Sequence, residues 1–300
     1  MISIAEKKMI SCIEKNQHIL AFVIVSILGF VIRTFGFNFI SDDMANFLIP
    51  WFYEIREHGG VLSLNRQVGD YNLLYQTLIS FGIYFDCDCV IFYKIISIVF
   101  DYALAVSVAC LVTREQKKKF LSMKFQVVYA IVLLLPTVIL NSAYWGQCDS
   151  IYTTFLVLLL MFLYDDHYCL AFIMLGIGLS FKLQTLLIVP FIICYYLCIK
   201  RFSLVWFALT AFVFWGSGIV AFIYGRGLTA PFEVYMNQTD IYHQMYMNIS
   251  SFWVLLGDGY EYLKDYAVLL TMILCGIEIY IFINLKKWIY RLETIIYVWL

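Results

Sequence analysis

Long apolar runs are the feature that most constrains what this chain can fold into. Hydrophobic residues make up 63% of the 300 residues, and charged residues only 14%. A soluble domain has about 45–50% apolar and about 25% charged residues, and the apolar excess here recurs along nearly the whole chain. A membrane-spanning helix needs about 20 mostly apolar residues. The sequence therefore predicts an all-α polytopic membrane protein.

Eight apolar runs are candidate spans, at 18–35, 90–112, 127–144, 151–164, 168–181, 185–199, 204–224 and 267–285. We treat residues 1–300 as a single transmembrane domain, with a first span (18–35), a long loop (36–88) and the remaining spans in 89–300. The first run lacks a small-residue cleavage site, so we expect a signal anchor that is retained. Another apolar run begins near residue 294 and is too short to cross. It is either a re-entrant tail or a sign that the sequence is C-terminally incomplete, and we expect the latter.

The basic residues are grouped in alternate loops. The clusters are Lys7, Lys8 and Lys15; Arg114, Lys117, Lys118, Lys119 and Lys124; Lys200 and Arg201; and Lys286, Lys287 and Arg291. If the N-terminus is cytoplasmic, every cluster falls inside, as the positive-inside rule requires. This predicts a multi-pass protein of the cytoplasmic membrane, with the 36–88 loop, the "YWGQCDS" stretch, the "SFKLQT" turn and residues 225–265 at the outer side.

Composition excludes several other classes. The net charge of −1 gives no indication of a nucleic-acid partner. The nine cysteines are scattered, and they form neither paired CxxC motifs nor a Cys/His set with zinc spacing. The sequence therefore demands no metal, although the acidic pair Asp42 and Asp43 keeps that alternative open. We find no glycine-rich nucleotide loop and expect no resident cofactor.

The first outer loop begins with the acidic pair in "SDDMANFLIPWFYEIREHGG". Apolar residues of the following run, 44–57, fall roughly on one helical face. They are Phe47, Leu48, Trp51 and Ile55. A second amphipathic piece begins at "VGDYN". We expect such helices to lie in the membrane interface rather than to cross it.

Four motifs occur in an order that resembles bacterial polytopic glycosyltransferases of the GT-C superfamily, which include relatives of the protein O-mannosyltransferases. They are "SDD…FLIPW…GG…GDYN", "YWGQCDSIY", "FKLQTLLIVP" and "MNISSFWVLLG". The resemblance covers about residues 20–260, with Leu183 where proline is common and no prolines after "GDYN". It implies a GT-C-type transmembrane helix bundle whose large first extracytoplasmic loop carries interfacial helices.

The resemblance also implies a mannosyltransferase-like activity in the cell envelope of a bacterium. A sugar would pass from a polyprenyl-phosphate donor, a co-substrate held in the membrane lipid, to a glycan, lipid or protein hydroxyl outside the membrane, with inversion. The acid after the first span is the catalytic base in that superfamily, and Asp43 fits its spacing better than Asp42. Lys182 and Arg33 are the candidate cations for the departing lipid phosphate. The other candidate substrate-binding residues are Asp42, Asp70, Tyr71, Asn72, Trp145, Gln147, Asp149, Gln184 and Asn248.

Other interpretations stay open at this point. A transporter or flippase for a lipid-linked precursor would place ionisable residues deep in the spans, where Asp101 and Glu278 are candidates. A non-catalytic assembly component on the same fold is a third possibility. Asp42 and Asp43 can cap a helix, and "GDYN" and "WGQCDS" can be turns with caps. Lys182 can serve as a snorkelling anchor.

Overall fold

The computed structural model of the protein describes residues 3–116, 122–238, 243–246, 252–257 and 259–284. These residues form helices and turns, and no strand occurs among them. The all-α prediction is therefore confirmed for this part of the chain. The α-helices are α1 (Ile4–Thr34), α2 (Ile49–Glu57), α3 (Leu73–Gly82), α4 (Cys89–Val112), α5 (Met123–Leu133), α6 (Pro136–Ile139), α7 (Asp149–Tyr164), α8 (Tyr168–Phe181), α9 (Val189–Ile199), α10 (Trp206–Gly216), α11 (Ile219–Ile223), α12 (Ala230–Gln238) and α13 (Tyr260–Asn284).

Helix length separates the predicted spans into two groups. Within the described residues, α1 (over Glu6–Thr34) and α4 are long and apolar enough to cross a membrane. A third candidate is α5 together with Pro136–Tyr144, which is bent by 49°. The predicted spans in 151–224 fold as shorter apolar helices: α7 has 16 residues and α8 has 14. At 1.5 Å per residue these two are about 24 Å and about 21 Å long, shorter than a full crossing of about 30 Å.

Pro136 produces the bend between α5 and α6. Proline has no N–H to donate, and its ring clashes with the carbonyl four residues earlier in a helix. Leu135 is extended, with φ −62° and ψ 123°, as expected for a residue before proline. After α6 the backbone enters a π-helical turn, Leu140–Tyr144. This turn delivers the chain to the polar "YWGQCDS" stretch.

The core is a row of packed helices in which α4 contacts α5 and α7, and α8 contacts α7 and α10. The first loop packs on this row: Met44, Leu48 and Phe52 are buried in one cluster with Tyr93 of α4 and Cys148. The amphipathic run 44–57 therefore packs its apolar side against the bundle. A π-helical turn at Met44–Leu48 alters the helical register.

The two ends of the bundle bring together different loops. Two ion pairs lie where α4, α7 and α9 end. Arg114 Nη1 is 3.5 Å from Asp165 Oδ1, and Arg201 Nη1 is 3.5 Å from Asp166 Oδ2. We call this the basic end. The opposite end, where α4 and α7 begin and α8 finishes, is the cavity end. The loops of Arg114 and Arg201, which the basic-residue pattern assigns to the inner side, thus lie at the end of the bundle opposite the "YWGQCDS" stretch.

Candidate functional site

A cavity of about 270 Å³ opens at the cavity end, and we call it the polar cavity. It collects side chains from four separate segments: the start of the first loop, the "GDY" turn, the "WGQ" turn and the end of α8, with α12 alongside. Its lining residues are Asp43, Phe47, Leu48, Trp51, Asp70, Tyr71, Gln147, Phe181, Lys182, Leu183, Tyr235 and Gln238. The structure therefore brings five of the predicted site residues into one cavity: Asp43, Asp70, Tyr71, Gln147 and Lys182.

Asp43 lies in the first turn of the helical segment that starts the first loop. Ser41 caps this segment, because its Oγ accepts the backbone N–H of Met44 at 3.2 Å, whereas Asp43 makes no side-chain cap. The Asp43 carboxylate accepts a hydrogen bond from Gln147 Nε2 to Oδ2 at 2.9 Å instead. The capping interpretation is therefore wrong for Asp43, whose carboxylate is exposed at the cavity.

Gln147 connects Asp43 to Tyr71. The Tyr71 hydroxyl donates to Gln147 Oε1 at 3.0 Å, while the amide nitrogen of Gln147 donates to Asp43. Burial raises the pKa of Tyr71 well above its ordinary value of 10, so this phenol remains a protonated donor near neutral pH. The oxygen and the nitrogen of the Gln147 amide are thus both hydrogen-bonded. This fixes the amide and orients the Asp43 carboxylate.

A tight turn places Gln147 beside Asp43. Gly146 has φ +67°, and a Cβ at this position would lie 2.3 Å from Met44 Cε. Both facts favour glycine, which alone adopts this backbone without strain. The N–H groups of Trp145, Gly146 and Gln147 donate back to the carbonyls of the preceding π-helical turn. The "WGQ" spacing therefore follows from the close approach of this turn to the first loop.

Lys182 follows the last residue of α8 and forms an ion pair with Asp149. Its side chain is only 19% exposed, and its Nζ lies 5.8 Å from the centre of the Tyr152 ring. Burial acts to lower the pKa of the Lys182 ammonium, but Cys148 and Asp149 outweigh it, and the net shift is upward from 10.5. Lys182 is therefore a cation at the cavity wall whose position is fixed by its ion pair with Asp149.

Asp149 is supported from two sides. It lies in the first turn of α7, where the helix dipole favours a negative charge. Asn141 Nδ2 donates to its Oδ2 at 2.8 Å. Asn141 was not predicted as a site residue, although it begins the polar stretch. Its role depends on the π-helical turn, which the sequence pattern does not reveal.

An apolar crevice of about 460 Å³ lies next to the polar cavity. Trp145 lines this crevice and not the polar cavity. Its side chain is 53% exposed. Asn141 lines the crevice, and its amide donates to Asp149, which pairs with Lys182 of the polar cavity. Asn141 therefore connects the two spaces through Asp149. The lining residues are Phe39, Thr137, Leu140, Asn141, Tyr144 and Trp145.

The remaining predicted site residues do not line the polar cavity. Asn72 is buried, caps α3 through the N–H of Leu73 and donates to the Pro231 carbonyl. Arg33 is fully buried in an ion pair with Asp101. Asp42 and Gln184 are exposed. Asn248 lies outside the described residues.

Several cavity residues were missed by the sequence analysis. Trp51 was assigned only to an apolar helical face, yet it lines the cavity and meets Tyr71 edge-on, with ring centres 5.9 Å apart. Tyr235 and Gln238 come from α12, and neither was predicted as a site residue. Among the described residues, no group of three or more His, Cys, Asp or Glu side chains is arranged to hold a metal ion.

Comparison with protein-family models, with curated proteins and with solved structures finds no match to this chain.

Proposed function

We propose that the protein is a polytopic membrane glycosyltransferase. It takes a sugar from a polyprenyl-phosphate donor and attaches it to an acceptor hydroxyl at the extracytoplasmic side, with inversion. The observation that carries this proposal is the convergence of Asp43, Gln147 and Lys182 on one cavity, with an apolar crevice beside it. These residues come from three of the four motifs that resemble the GT-C superfamily.

Asp43 is the general base of the proposed reaction. It removes the proton of the acceptor hydroxyl while the hydroxyl oxygen attacks the anomeric carbon. The bond from that carbon to the phosphate oxygen breaks, and the lipid phosphate leaves with the electron pair. A base must be reachable and oriented. The exposure of Asp43 and its hydrogen bond from Gln147 support this role.

Lys182 is the proposed partner of the departing phosphate. An ammonium group has three N–H donors, and Asp149 accepts one of them. The others are available to stabilise negative charge as it develops on the leaving group. The low exposure of Lys182 supports the role, because charge interactions are stronger where water is excluded.

The apolar crevice is the proposed site of the lipid chain. Trp145, Tyr144 and Phe39 present aromatic surface there, while Asn141 connects the crevice to the Asp149–Lys182 pair. A donor lying along this connection would keep its isoprenoid units in the crevice and its phosphate at Lys182. Asp70 and Trp51 are then positioned at the wall of the polar cavity to contact the sugar.

The test compares Asp43→Asn with Asp42→Asn in membranes that carry the full-length protein. Transfer of radiolabelled sugar is measured from a panel of polyprenyl-phosphate sugars. A positioned base contributes about 10²–10⁴ in rate, so we expect Asp43→Asn to lose at least about 100-fold and Asp42→Asn to stay near wild type.

Two outcomes contradict the proposal in different ways. A wild-type protein that is inert on every donor, while accumulating normally, overturns the enzyme class and favours a transporter or an assembly component. An active wild type with a fully active Asp43→Asn variant keeps the class but removes Asp43 as the base.

A further inference from the structure

Arg33 and Asp101 form an ion pair inside the bundle, and both side chains are fully buried. Arg33 Nε donates to Asp101 Oδ2 at 2.8 Å, Nη1 to the Gly29 carbonyl at 3.0 Å and Nη2 to the Leu133 carbonyl at 2.9 Å. All three nitrogens of the guanidinium are thus engaged by α1, α4 and the end of α5. Arg33 does not line the polar cavity or the apolar crevice.

Asp101 uses both carboxylate oxygens to hold two serines. The hydroxyl of Ser142 donates to Oδ2, and the hydroxyl of Ser150 donates to Oδ1. Ser142 lies in the π-helical turn, and Ser150 lies in the first turn of α7. Asp101 therefore connects the π-helical turn before the "WGQ" turn to the start of α7, which follows it.

The two serines are chain neighbours of Asp149, which pairs with Lys182, and of Asn141, which donates to Asp149. Asn141 precedes Ser142, Asp149 precedes Ser150, and Asn141 donates to Asp149 at 2.8 Å. Any change in spacing between the π-helical turn and α7 therefore changes the Asn141–Asp149 contact. Through Asp149 it also changes the position of the Lys182 ammonium.

A purely stabilising role is a weak explanation for such a pair. Replacing a buried ion pair by apolar residues of similar volume is often neutral or stabilising, because burial costs both ions their hydration. Here the carboxylate makes directional contacts to two segments, and these fix the geometry of an otherwise unusual π-helical turn.

We infer that Arg33 and Asp101 are positioning residues for Lys182 and its carboxylate partner Asp149, acting through Ser142 and Ser150. This inference rests on the proposed function, in which Lys182 binds the lipid phosphate. Arg33 thereby acquires a role different from the direct phosphate contact expected from sequence. Its charge orients the Asp101 carboxylate, which holds the two serines.

The test measures binding of farnesyl phosphate and of farnesol to the purified full chain in detergent. The variants are Ser142→Ala with Ser150→Ala, Lys182→Met, and the combination of all three. Ser97→Ala is the matched control, because Ser97 is fully buried on α4 and donates only to the Tyr93 carbonyl in the described structure. Ser150→Thr, made in the wild-type protein, is a conservative variant that keeps a hydroxyl at one of the two links to Asp101.

We expect the double serine variant to weaken farnesyl phosphate binding about tenfold, as is typical of coupled neighbours. Farnesol binding should change less than about twofold, since it lacks the phosphate. Adding the serine changes to Lys182→Met should produce little further loss. With Ser150→Thr, affinity should stay within about threefold of wild type, and Ser97→Ala should have no effect.

The outcomes separate this inference from the proposed function. If Lys182→Met binds farnesyl phosphate as wild type does, the phosphate role of Lys182 fails, and with it the basis of the inference. If Lys182→Met binds weakly but the serine variant binds normally, only the positioning role is overturned. Equal losses for farnesol and farnesyl phosphate also overturn it, because they indicate general destabilisation.

Discussion

At the scale of single residues, Gln147 links two other residues that line the polar cavity. Its amide contacts Asp43 through the nitrogen and Tyr71 through the oxygen. The side chain has no proton to exchange in the proposed reaction. Its contribution is to fix the base relative to the sugar.

We expect Gln147→Ala to lower the rate of sugar transfer by about tenfold to 100-fold, because small errors in the position of a catalytic group carry penalties of this size. Gln184→Ala is the matched control. Gln184 belongs to the "FKLQ" motif but is exposed and lies outside the cavity lining. The measurement is initial rate at saturating donor. A larger loss for Gln184→Ala than for Gln147→Ala would contradict the assignment.

Gly146 and Gly225 provide a paired test of the turn. Both have positive φ, +67° and +93°. A Cβ at Gly146 meets Met44 Cε at 2.3 Å, whereas Gly225 has no atom within 4 Å of that position. We expect Gly225→Ala to lower the free energy of unfolding by about 1–2 kcal/mol through backbone strain. Gly146→Ala should lose about 1 kcal/mol more, because the overlap is with Met44 Cε, the end of a flexible but fully buried side chain.

Denaturant unfolding in detergent measures both variants under the same conditions. Equal losses would mean that Met44 moves away freely and that the approach of the two segments is loose. In that case the orientation of Gln147 does not depend on tight packing at Gly146.

The residues of the polar cavity show how far a sequence can predict a site. Asp43 was predicted from its spacing in a motif that resembles the GT-C superfamily, while Gln147 and Lys182 lie in motifs that also interrupt apolar runs. All of these are local signals. Asn141 and Trp51 were not, since their roles depend on a π-helical turn and on a contact with Tyr71. Such features arise from packing between segments and leave no local pattern.

At the scale of elements, Lys94 joins α4 to the segment that follows α1. It is fully buried, and its ammonium donates to the carbonyls of Gly36 at 2.6 Å, Phe37 at 3.3 Å and Phe39. These carbonyls precede the acidic pair of the first loop by a few residues. The contact therefore sets where that loop leaves the bundle.

We expect Lys94→Met to lower the free energy of unfolding by about 2–4 kcal/mol. Several backbone acceptors would lose a charged donor, and each buried unsatisfied group costs about 1–3 kcal/mol before relaxation. Lys124→Met is the matched control, because Lys124 is exposed on α5. Denaturant unfolding in detergent is again the measurement. An unchanged midpoint for Lys94→Met would show that water replaces the ammonium.

The predicted bounds were most accurate for α4, expected at 90–112 and found at Cys89–Val112. Helix α1 ends where the first predicted span does but begins at Ile4, well before the predicted start at residue 18. The sequence also identified Arg33 and Asp101 as ionisable residues near or within spans, but assigned them to phosphate binding and to a transport path. The two are 68 positions apart in sequence. Their pairing is a long-range contact that a single sequence without repeats does not specify.

At the scale of the whole molecule, the two ends of the bundle predict sidedness. Asn65 lies in the first loop near the cavity end, and Ser203 follows Arg201 at the basic end; both are exposed. We expect a membrane-impermeant maleimide to label Asn65→Cys in intact cells, and Ser203→Cys only after permeabilisation. The parental protein, with its own cysteines, gives the background. Labelling of both positions in intact cells would contradict the proposed topology.

If α7 and α8 cross the membrane, as the proposed function requires, their lengths have a consequence for the surrounding lipid. In a bilayer with a hydrocarbon core of about 30 Å, helices of about 24 Å and about 21 Å leave a hydrophobic mismatch of several ångströms. Lipids beside α7 and α8 must then thin or tilt, at a cost of fractions of a kcal/mol per Å. The same deformation shortens the path from the lipid headgroups to the polar cavity. The membrane itself would thus become part of the entrance by which a lipid-borne substrate arrives.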